Sequence, residues 1–212
     1  MKEERYRAVA IAHRAAQKGL ALGTSGNLSL RVPGGFLVTA TGTSLESLTD
    51  DELSLVKDDG SVEGALQPSS EWRFHRDIFR ARPDVNGILH VHSPHATTLA
   101  CLHRSLPAFH YMVAVAGGRN VRCAPYATYG SEELSANVLG GLEHRRACLL
   151  ANHGLVTVGP TLEIAFDVAL EIEHLAGIYL AACAIAEPAV LADEEMDAVL
   201  AKFANYGKVQ RT

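Results

Sequence analysis

No run of lysine or arginine occurs anywhere in the 212 residues, and the formal net charge is −5. That balance excludes a nucleic-acid binder that works by neutralising many phosphates. No apolar stretch approaches the ~20 residues of a membrane span. The opening Met-Lys-Glu-Glu-Arg also lacks the apolar core of a signal peptide, so a cytoplasmic protein without membrane or nucleic-acid partners is expected. Cysteine is scarce: Cys101, Cys123, Cys148 and Cys183 are widely spaced, with no C-x-x-C pair. A zinc knuckle or dithiol redox site is thereby excluded, and the four thiols read as buried small hydrophobes. There is no repeat, linker or low-complexity segment, and one domain spanning residues 1–212 is the expectation. A chain of this size should bury roughly 70% of its unfolded surface, so it needs no structural metal and any ion it binds should be catalytic.

What the chain does contain is histidine, ten in all, with several crowded between residues 90 and 110. The pattern around them alternates strands and helices. Apolar or small residues at Tyr6, Val9, Ala10, His13 and Ala16 predict an amphipathic helix over residues 2–19. Strict alternation over 27–31, a Pro33-Gly34-Gly35 turn and an apolar run over 36–39 predict a β-hairpin. Residues 53–56 predict another strand, closed by the polar turn 57–60, so antiparallel pairing is favoured early. Serines 69 and 70 followed by Glu71 predict a serine-capped helix with an acid in its first turn, ending near Pro83. A strand over 87–92 leads into a helix from Pro94 through Leu102. Further helices are expected over 130–142 with a Ser131 cap, over 162–186 with a Thr161 cap and from Asp193 to the Tyr206-Gly207 pair, and a buried strand over 147–151.

His90 and His92 form an H-x-H within a strand pattern. Period-2 geometry puts both imidazoles on one face with Cα atoms roughly 6.5–7 Å apart, close enough to converge on one ion. The same spacing arises in accidental or structural pairs. His153, at the end of an apolar strand and before a glycine, is a third candidate, and three neutral imidazoles leave an open position for a catalytic zinc. Glu71 supplies a carboxylate that could ligate the ion or act as base. His13, His75, His103, His144 and His174 lie on helical patterns without converging partners and read as surface or core packing. Glu171 and His174 have the spacing of a di-iron helix, but no second such helix exists in the sequence. His95 and His110 flank the cluster and could orient its ligands.

Two small-residue loops, residues 23–27 and 41–44, together with the Ser69-Ser70 helix start, could bind phosphate oxygens through N–H groups and hydroxyls. Each could equally be a plain turn, since neither loop fits the phosphate-loop or dinucleotide pattern.

Five segments, G-T-S-G-N-L-S-L-R, T-G-T-S, P-S-S-E-W-R-F-H, H-V-H and N-H-G-L-V, occur here in an order that resembles the class II aldolase/adducin family nearly end to end. Within the group, F-H-Y-M-V-A-V-A-G-G, C-A-P-Y-A-T-Y-G and K-F-A-N-Y-G are most similar to the branch acting on L-fuculose 1-phosphate. The resemblance implies an α/β fold of three layers, a central, mainly antiparallel sheet covered by helices. It implies one Zn2+ per chain held by His90, His92 and His153, with Glu71 alternating between ligand and acid/base. It implies phosphate binding by Thr24, Gly26, Asn27, Thr41, Gly42, Ser69 and Ser70. Tyr111 would donate a proton from a neighbouring subunit of a C4 homotetramer, and Tyr206 would act from the C-terminal tail. Tyr129 stands beside the aldehyde pocket where phenylalanine is expected.

The implied reaction is reversible retro-aldol cleavage of a phosphorylated ketose, L-fuculose 1-phosphate first, to dihydroxyacetone phosphate and L-lactaldehyde. A 5-deoxy- or 5-methylthio-pentulose 1-phosphate is the competing substrate. Its difficulty is the carbanion, whose charge zinc would stabilise, and Glu71 would need a raised pKa or release from the metal to move the proton. Rivals are a sugar-phosphate 4-epimerase, in which an aspartate is expected where Glu71 stands, a methylthioribulose-phosphate dehydratase, and a metal-free binding module of the adducin type. The Tyr111 motif speaks for the aldolase, and retention of the three histidines and Glu71 speaks against the binding module.

Overall fold

The computed structural model describes residues 1–203. Eight strands form one sheet, in the spatial order β4-β3-β2-β1-β5-β8-β7-β6. In chain order they are β1 (Asn27–Val32), β2 (Gly35–Thr39), β3 (Leu53–Lys57), β4 (Val62–Glu63), β5 (Gly87–Val91), β6 (Arg122–Ala124), β7 (Ala147–Leu150) and β8 (Gly154–Gly159). Every neighbouring pair is antiparallel except β6 with β7. The helices are α1 (Lys2–Gln17), α2 (Trp72–Ala81), α3 (Pro94–Cys101), α4 (Glu132–Gly141), α5 (Leu162–Cys183) and α6 (Asp193–Phe203). The architecture is the expected three-layer α/β arrangement.

Strand alternation divides the core into two layers. Leu28, Leu30, Leu89, Val91, Leu149 and Leu155 face a cluster completed by Ile11 of α1, Leu99 of α3 and Phe166, Ile172 and Leu175 of α5. Phe36, Val38, Ile88, Cys148, Leu150, Val156 and Val158 face the other side, against Phe74 and Ile78 of α2 and Leu134 and Val138 of α4. The caps form as anticipated for two helices: Ser131 Oγ accepts from Leu134 N at 3.0 Å, and Thr161 Oγ1 from Ile164 N at 3.3 Å.

Several expectations are corrected. The start of α2 is not serine-capped; Glu71 itself is the N-cap, and Ser69 Oγ accepts from Glu71 N at 3.3 Å in the turn before it. No acid stands in the first turn of α2, because the Glu71 carboxylate turns away from the helix into a cleft. Strands β4, β6 and β8 were not anticipated; all six residues of β8 are buried between β5 and β7. α5 ends at Cys183 rather than Ala186, its continuation tightening into a turn with Ile185 N on Ala182 O at 2.9 Å. Its apolar surface is buried along one stripe only, and Ile178 is 40% exposed. The apolar run after Tyr111, which also admits a strand reading, is a 3₁₀ helix (Tyr111–Ala116), started by His110 Nδ1 accepting from Met112 N and ended by Gly117 at φ 81°. His103 and His144 lie past the ends of α3 and α4 in the left-handed region, at φ 53° and 55°. Of the four thiols only Cys148 is buried, which pushes it up to about 12, whereas Cys101 is exposed. No helix among the described residues is long and apolar enough to cross a membrane.

Candidate active site

The register Asn27↔His90 between β1 and β5, and Val91↔Leu155 between β5 and β8, sets the floor of the site. His90 shares its face with Ile88, toward α2, and its ring meets Phe74 edge-on at 5.8 Å. His92 lies just past the last residue of β5, and His153 just before β8, so both rings hang over the strand ends. His92 Nε2 stands 3.0 Å from His90 Nε2, and His153 Nε2 stands 3.2 Å from it. Three nitrogens sharing a tetrahedral ion at ~2.0–2.1 Å would be about 3.3 Å apart, so this spacing fits one. Gly154 permits the approach, since a Cβ there would sit 2.5 Å from the Val91 carbonyl and 2.9 Å from the His92 ring.

His90 Nδ1 donates to the carbonyl of Leu155 at 3.0 Å. Its Nε2 lone pair therefore faces the cluster, the arrangement that fixes a metal-ligating tautomer. Burial, then the neighbouring His90 ring, pushes His92 and His153 down to about 4. Three imidazole nitrogens directed at one point repel one another unless a cation lies between them. Among the described residues, these three are the group that could hold a metal ion.

Glu71 completes the ring. Its Oε2 lies 3.2 Å from His90 Nε2 and its Oε1 3.4 Å from His153 Nε2, while Oε1, though buried, has no hydrogen-bond partner. A buried orphan oxygen at the edge of a three-imidazole cluster is one that a cation would satisfy. Burial opposes its ionisation, but the adjoining His90 and His153 rings and the amide of Asn27 prevail and hold the carboxyl well below its ordinary range. The raised pKa expected of an acid/base is thus not found; the side chain stands as a carboxylate, competent as base or ligand.

These groups line a cleft of about 380 Å³ with Thr24, Ser25, Gly26, Thr41, Gly42 and Ser70, the size range of small-molecule sites. All seven residues assigned to phosphate therefore come to one place, from three separate segments, as does Tyr129 at its mouth. Asn27 is the first residue of β1 rather than a loop residue, and its amide is engaged with Glu71 at 2.9 Å. Thr43 of the 41–44 loop also lines the cleft, as do Tyr126 and Asn152, which were not anticipated. Tyr126 stood within C-A-P-Y-A-T-Y-G three residues before Tyr129, while Asn152, at φ 54° beside His153, had only its neighbour as a signal.

Other expected participants lie elsewhere. Tyr111 is half-exposed in a separate groove with Phe109, Leu191 and Phe203, so one chain does not bring it to Glu71. Tyr206 falls outside the described residues. His95 does not orient the cluster but meets Glu173 of α5 at 2.8 Å, and His110 serves the 3₁₀ helix. His75, read as packing alone, is fully buried as expected but does have partners: its ring touches Ser29 and Asn27.

Residues 7–180 match the family model of the class II aldolase and adducin N-terminal domain. The chain is 46% identical over 203 residues to a 5-methylthioribulose-1-phosphate/5-deoxyribulose-1-phosphate aldolase of Rhodospirillum rubrum, covering 96% of this chain and 92% of that one. It is 47% identical over 190 residues to an L-fuculose phosphate aldolase of Escherichia coli, covering 89% and 88% respectively. A solved L-fuculose 1-phosphate aldolase superposes with a TM-score of 0.92 at 39% identity, over 96% of this chain and 97% of that one. The histidine cluster, the carboxylate against it and the loops around the cleft accordingly lie on the fold of enzymes that share this sequence, and the chain belongs to the class II aldolase and adducin family as an aldolase, a lyase.

Proposed function

We propose that the protein is a zinc enzyme that reversibly cleaves a ketose 1-phosphate to dihydroxyacetone phosphate and a short aldehyde, L-fuculose 1-phosphate and L-lactaldehyde being the first pair to test. The observation that carries this reading is the convergence of three imidazole nitrogens on one point, with the Glu71 carboxylate against two of them, inside a cleft lined by small and hydroxyl-bearing residues. A second reading, a 5-deoxy- or 5-methylthio-pentulose 1-phosphate, is favoured by the Rhodospirillum rubrum relative, which aligns over more of this chain than the Escherichia coli enzyme does.

His90, His92 and His153 would hold one zinc ion per chain, with Glu71 as a displaceable fourth partner. When bound, the ion supplies positive charge against the negative charge that builds on the ketone side of the breaking C3–C4 bond. In the condensation direction the Glu71 carboxylate takes a proton from C3 of dihydroxyacetone phosphate; in cleavage it returns that proton to C3. The C4 hydroxyl loses its proton as it becomes the aldehyde, and Tyr111 of the partner subunit exchanges that proton in a C4 homotetramer. Tyr206 would close the site from the C-terminal tail, and Tyr129 would pack against the aldehyde. Thr24, Gly26, Asn27, Thr41, Gly42, Ser69 and Ser70 would orient the phosphate dianion without a lysine.

The test is release of dihydroxyacetone phosphate from a panel of fuculose, rhamnulose, ribulose, 5-deoxyribulose and methylthioribulose 1-phosphates. Release from the first supports the leading reading and release from the 5-substituted pentuloses the second. A C4-inverted sugar with no triose phosphate, or loss of water without C–C cleavage, would replace both with the epimerase or dehydratase.

A further inference from the structure

His75 has no assigned part in the reaction, yet it is fully buried on α2 one turn after Glu71, and its two ring nitrogens are both engaged. Nε2 meets Asn27 Oδ1 at 2.6 Å and Nδ1 meets Ser29 Oγ at 2.7 Å. Asn27 Nδ2 in turn donates to Glu71 Oε2 at 2.9 Å. Asn27 and Ser29 share one face of β1, with Leu28 turned to the opposite layer, so strand alternation presents both to the same ring.

Donor and acceptor chemistry fixes the direction of every bond in this chain. The Glu71 carboxylate accepts only, so the Asn27 amide must turn its NH₂ toward it and its carbonyl toward His75. That carbonyl accepts only, so His75 must carry its proton on Nε2. Nδ1 is then bare and takes the Ser29 hydroxyl proton. With the imidazole neutral, no other arrangement satisfies all four groups, and burial holds it neutral by pushing it down to about 3.

We infer that His75 is a positioning residue for the aldol reaction: through Asn27 it locks the amide that aims the Glu71 carboxylate at the metal cluster. This rests on the acid/base role given to Glu71 above. Without the Nε2–H donor, the Asn27 carbonyl would be buried and unpaired, and a flip of the amide would set that oxygen against the Glu71 carboxylate. Either outcome frees Glu71 to leave the orientation from which it reaches a substrate carbon.

Two substitutions separate this role from packing. His75→Phe keeps a buried ring but removes both nitrogens, whereas His75→Gln places an amide N–H where Nε2 stood. In the zinc-loaded enzyme, His75→Phe should slow exchange of the C3 proton of dihydroxyacetone phosphate by about 10–100-fold, with zinc content intact and KM moved less than about 3-fold. His75→Gln should restore most of that rate. In the Glu71→Gln background, His75→Phe should add little further loss, because the two act as one unit. Equal losses in His75→Phe and His75→Gln, or wild-type exchange in His75→Phe, would overturn the inference. Should His75→Phe not fold, Asn27→Ala takes its place, measured at saturating dihydroxyacetone phosphate so that weaker phosphate binding does not count: a loss in exchange rate with zinc retained supports the chain, and an unchanged rate refutes it. The nitrogen-15 spectrum of the His75 ring is independent of any substrate. It should show one neutral Nε2–H tautomer whose shift moves in Asn27→Ala, and an Nδ1–H tautomer would break the chain even if the enzyme cleaved every ketose offered. Failure to cleave any ketose 1-phosphate would instead remove the proposed substrate and leave the ring spectrum as it is.

Discussion

His90 Nδ1 donates to the Leu155 carbonyl at 3.0 Å, across a β5/β8 ladder in which Leu155 pairs with Val91, the residue between His90 and His92. One strand pairing thus fixes the tautomer of one histidine and, through Gly154, leaves room for the His92 ring beside it. A side chain held in this way by a backbone carbonyl cannot drift when the cleft fills, which is what an ion site on rigid strands requires.

Metal should therefore be retained through purification at about one zinc per chain, measured by elemental analysis. Zinc added to the metal-free protein at 100 times its Kd should stabilise the fold by about 2.7 kcal/mol. For a chain of this size that is a rise of roughly 5–10 °C in Tm. His92→Ala should abolish the rise; a metal-free preparation with full activity would refute the assignment.

Glu71→Gln should keep its fold and its zinc but lose proton-transfer rate by about 10²–10⁴-fold, the usual contribution of a general base. The amide carbonyl introduced by this substitution can still accept from Asn27 Nδ2, so the orientation survives while the basicity does not. Cleavage at the wild-type rate would require another base.

Stability should fall with acid in a way traceable to His75. Its folded-state pKa is lowered to about 3, by burial and then by the neighbouring His90 ring, against about 6.5 for the free side chain. The folded protein therefore binds fewer protons than the unfolded chain between those values. The contribution is fully present above pH 6.5 and is lost as pH falls toward 3. From pH 6.5 to 5 this single group should remove about 2 kcal/mol. Denaturant titration of His75→Gln should show a correspondingly flatter pH dependence; parallel curves would mean that His75 is already protonated in the fold.

Ser70 is exposed in the cleft, outside the Asn27–Glu71 pair, and is the cleaner probe of phosphate. Ser70→Ala should raise KM for the phosphorylated ketose by about 10–100-fold, as expected for one lost hydrogen bond to a charged group of about 1.5–3 kcal/mol. The unphosphorylated sugar should change little. Equal effects on both substrates would place Ser70 outside the phosphate site.

Tyr111→Phe keeps the ring and removes only the hydroxyl. Bond cleavage should slow far more than C3 proton exchange, with zinc content unchanged, as both rates measured in deuterated buffer would show. Because Tyr111 lies in a groove away from Glu71 within one chain, mixed oligomers of Tyr111→Phe and Glu71→Gln chains should recover cleavage that neither variant has alone. No recovery would exclude a site shared between subunits.

Much of this was legible from local pattern. Alternation placed His90 among strand residues, Thr161 and Ser131 announced their helices, and the order of short motifs pointed to the family before any contact was known. Local pattern works there because caps, strand faces and turns depend on residues a few positions apart. It failed for β8, to which no element was assigned, and whose Gly154 lets the backbone pass against the His92 ring. It also failed for His75, whose helical neighbours say only that the position is buried. What that ring does depends on Ser29 and Asn27, more than forty residues earlier in the chain and brought to it where α2 packs on the sheet. The pKa of Glu71 belongs to the same class, since its direction is set by His90, His153 and Asn27, none of them near it in sequence. The sequence by itself determined which groups are present and on which local element each sits. Only the tertiary structure decided which of them touch, because hydrogen bonds and charge interactions act over a few ångströms of space, whatever the separation along the chain.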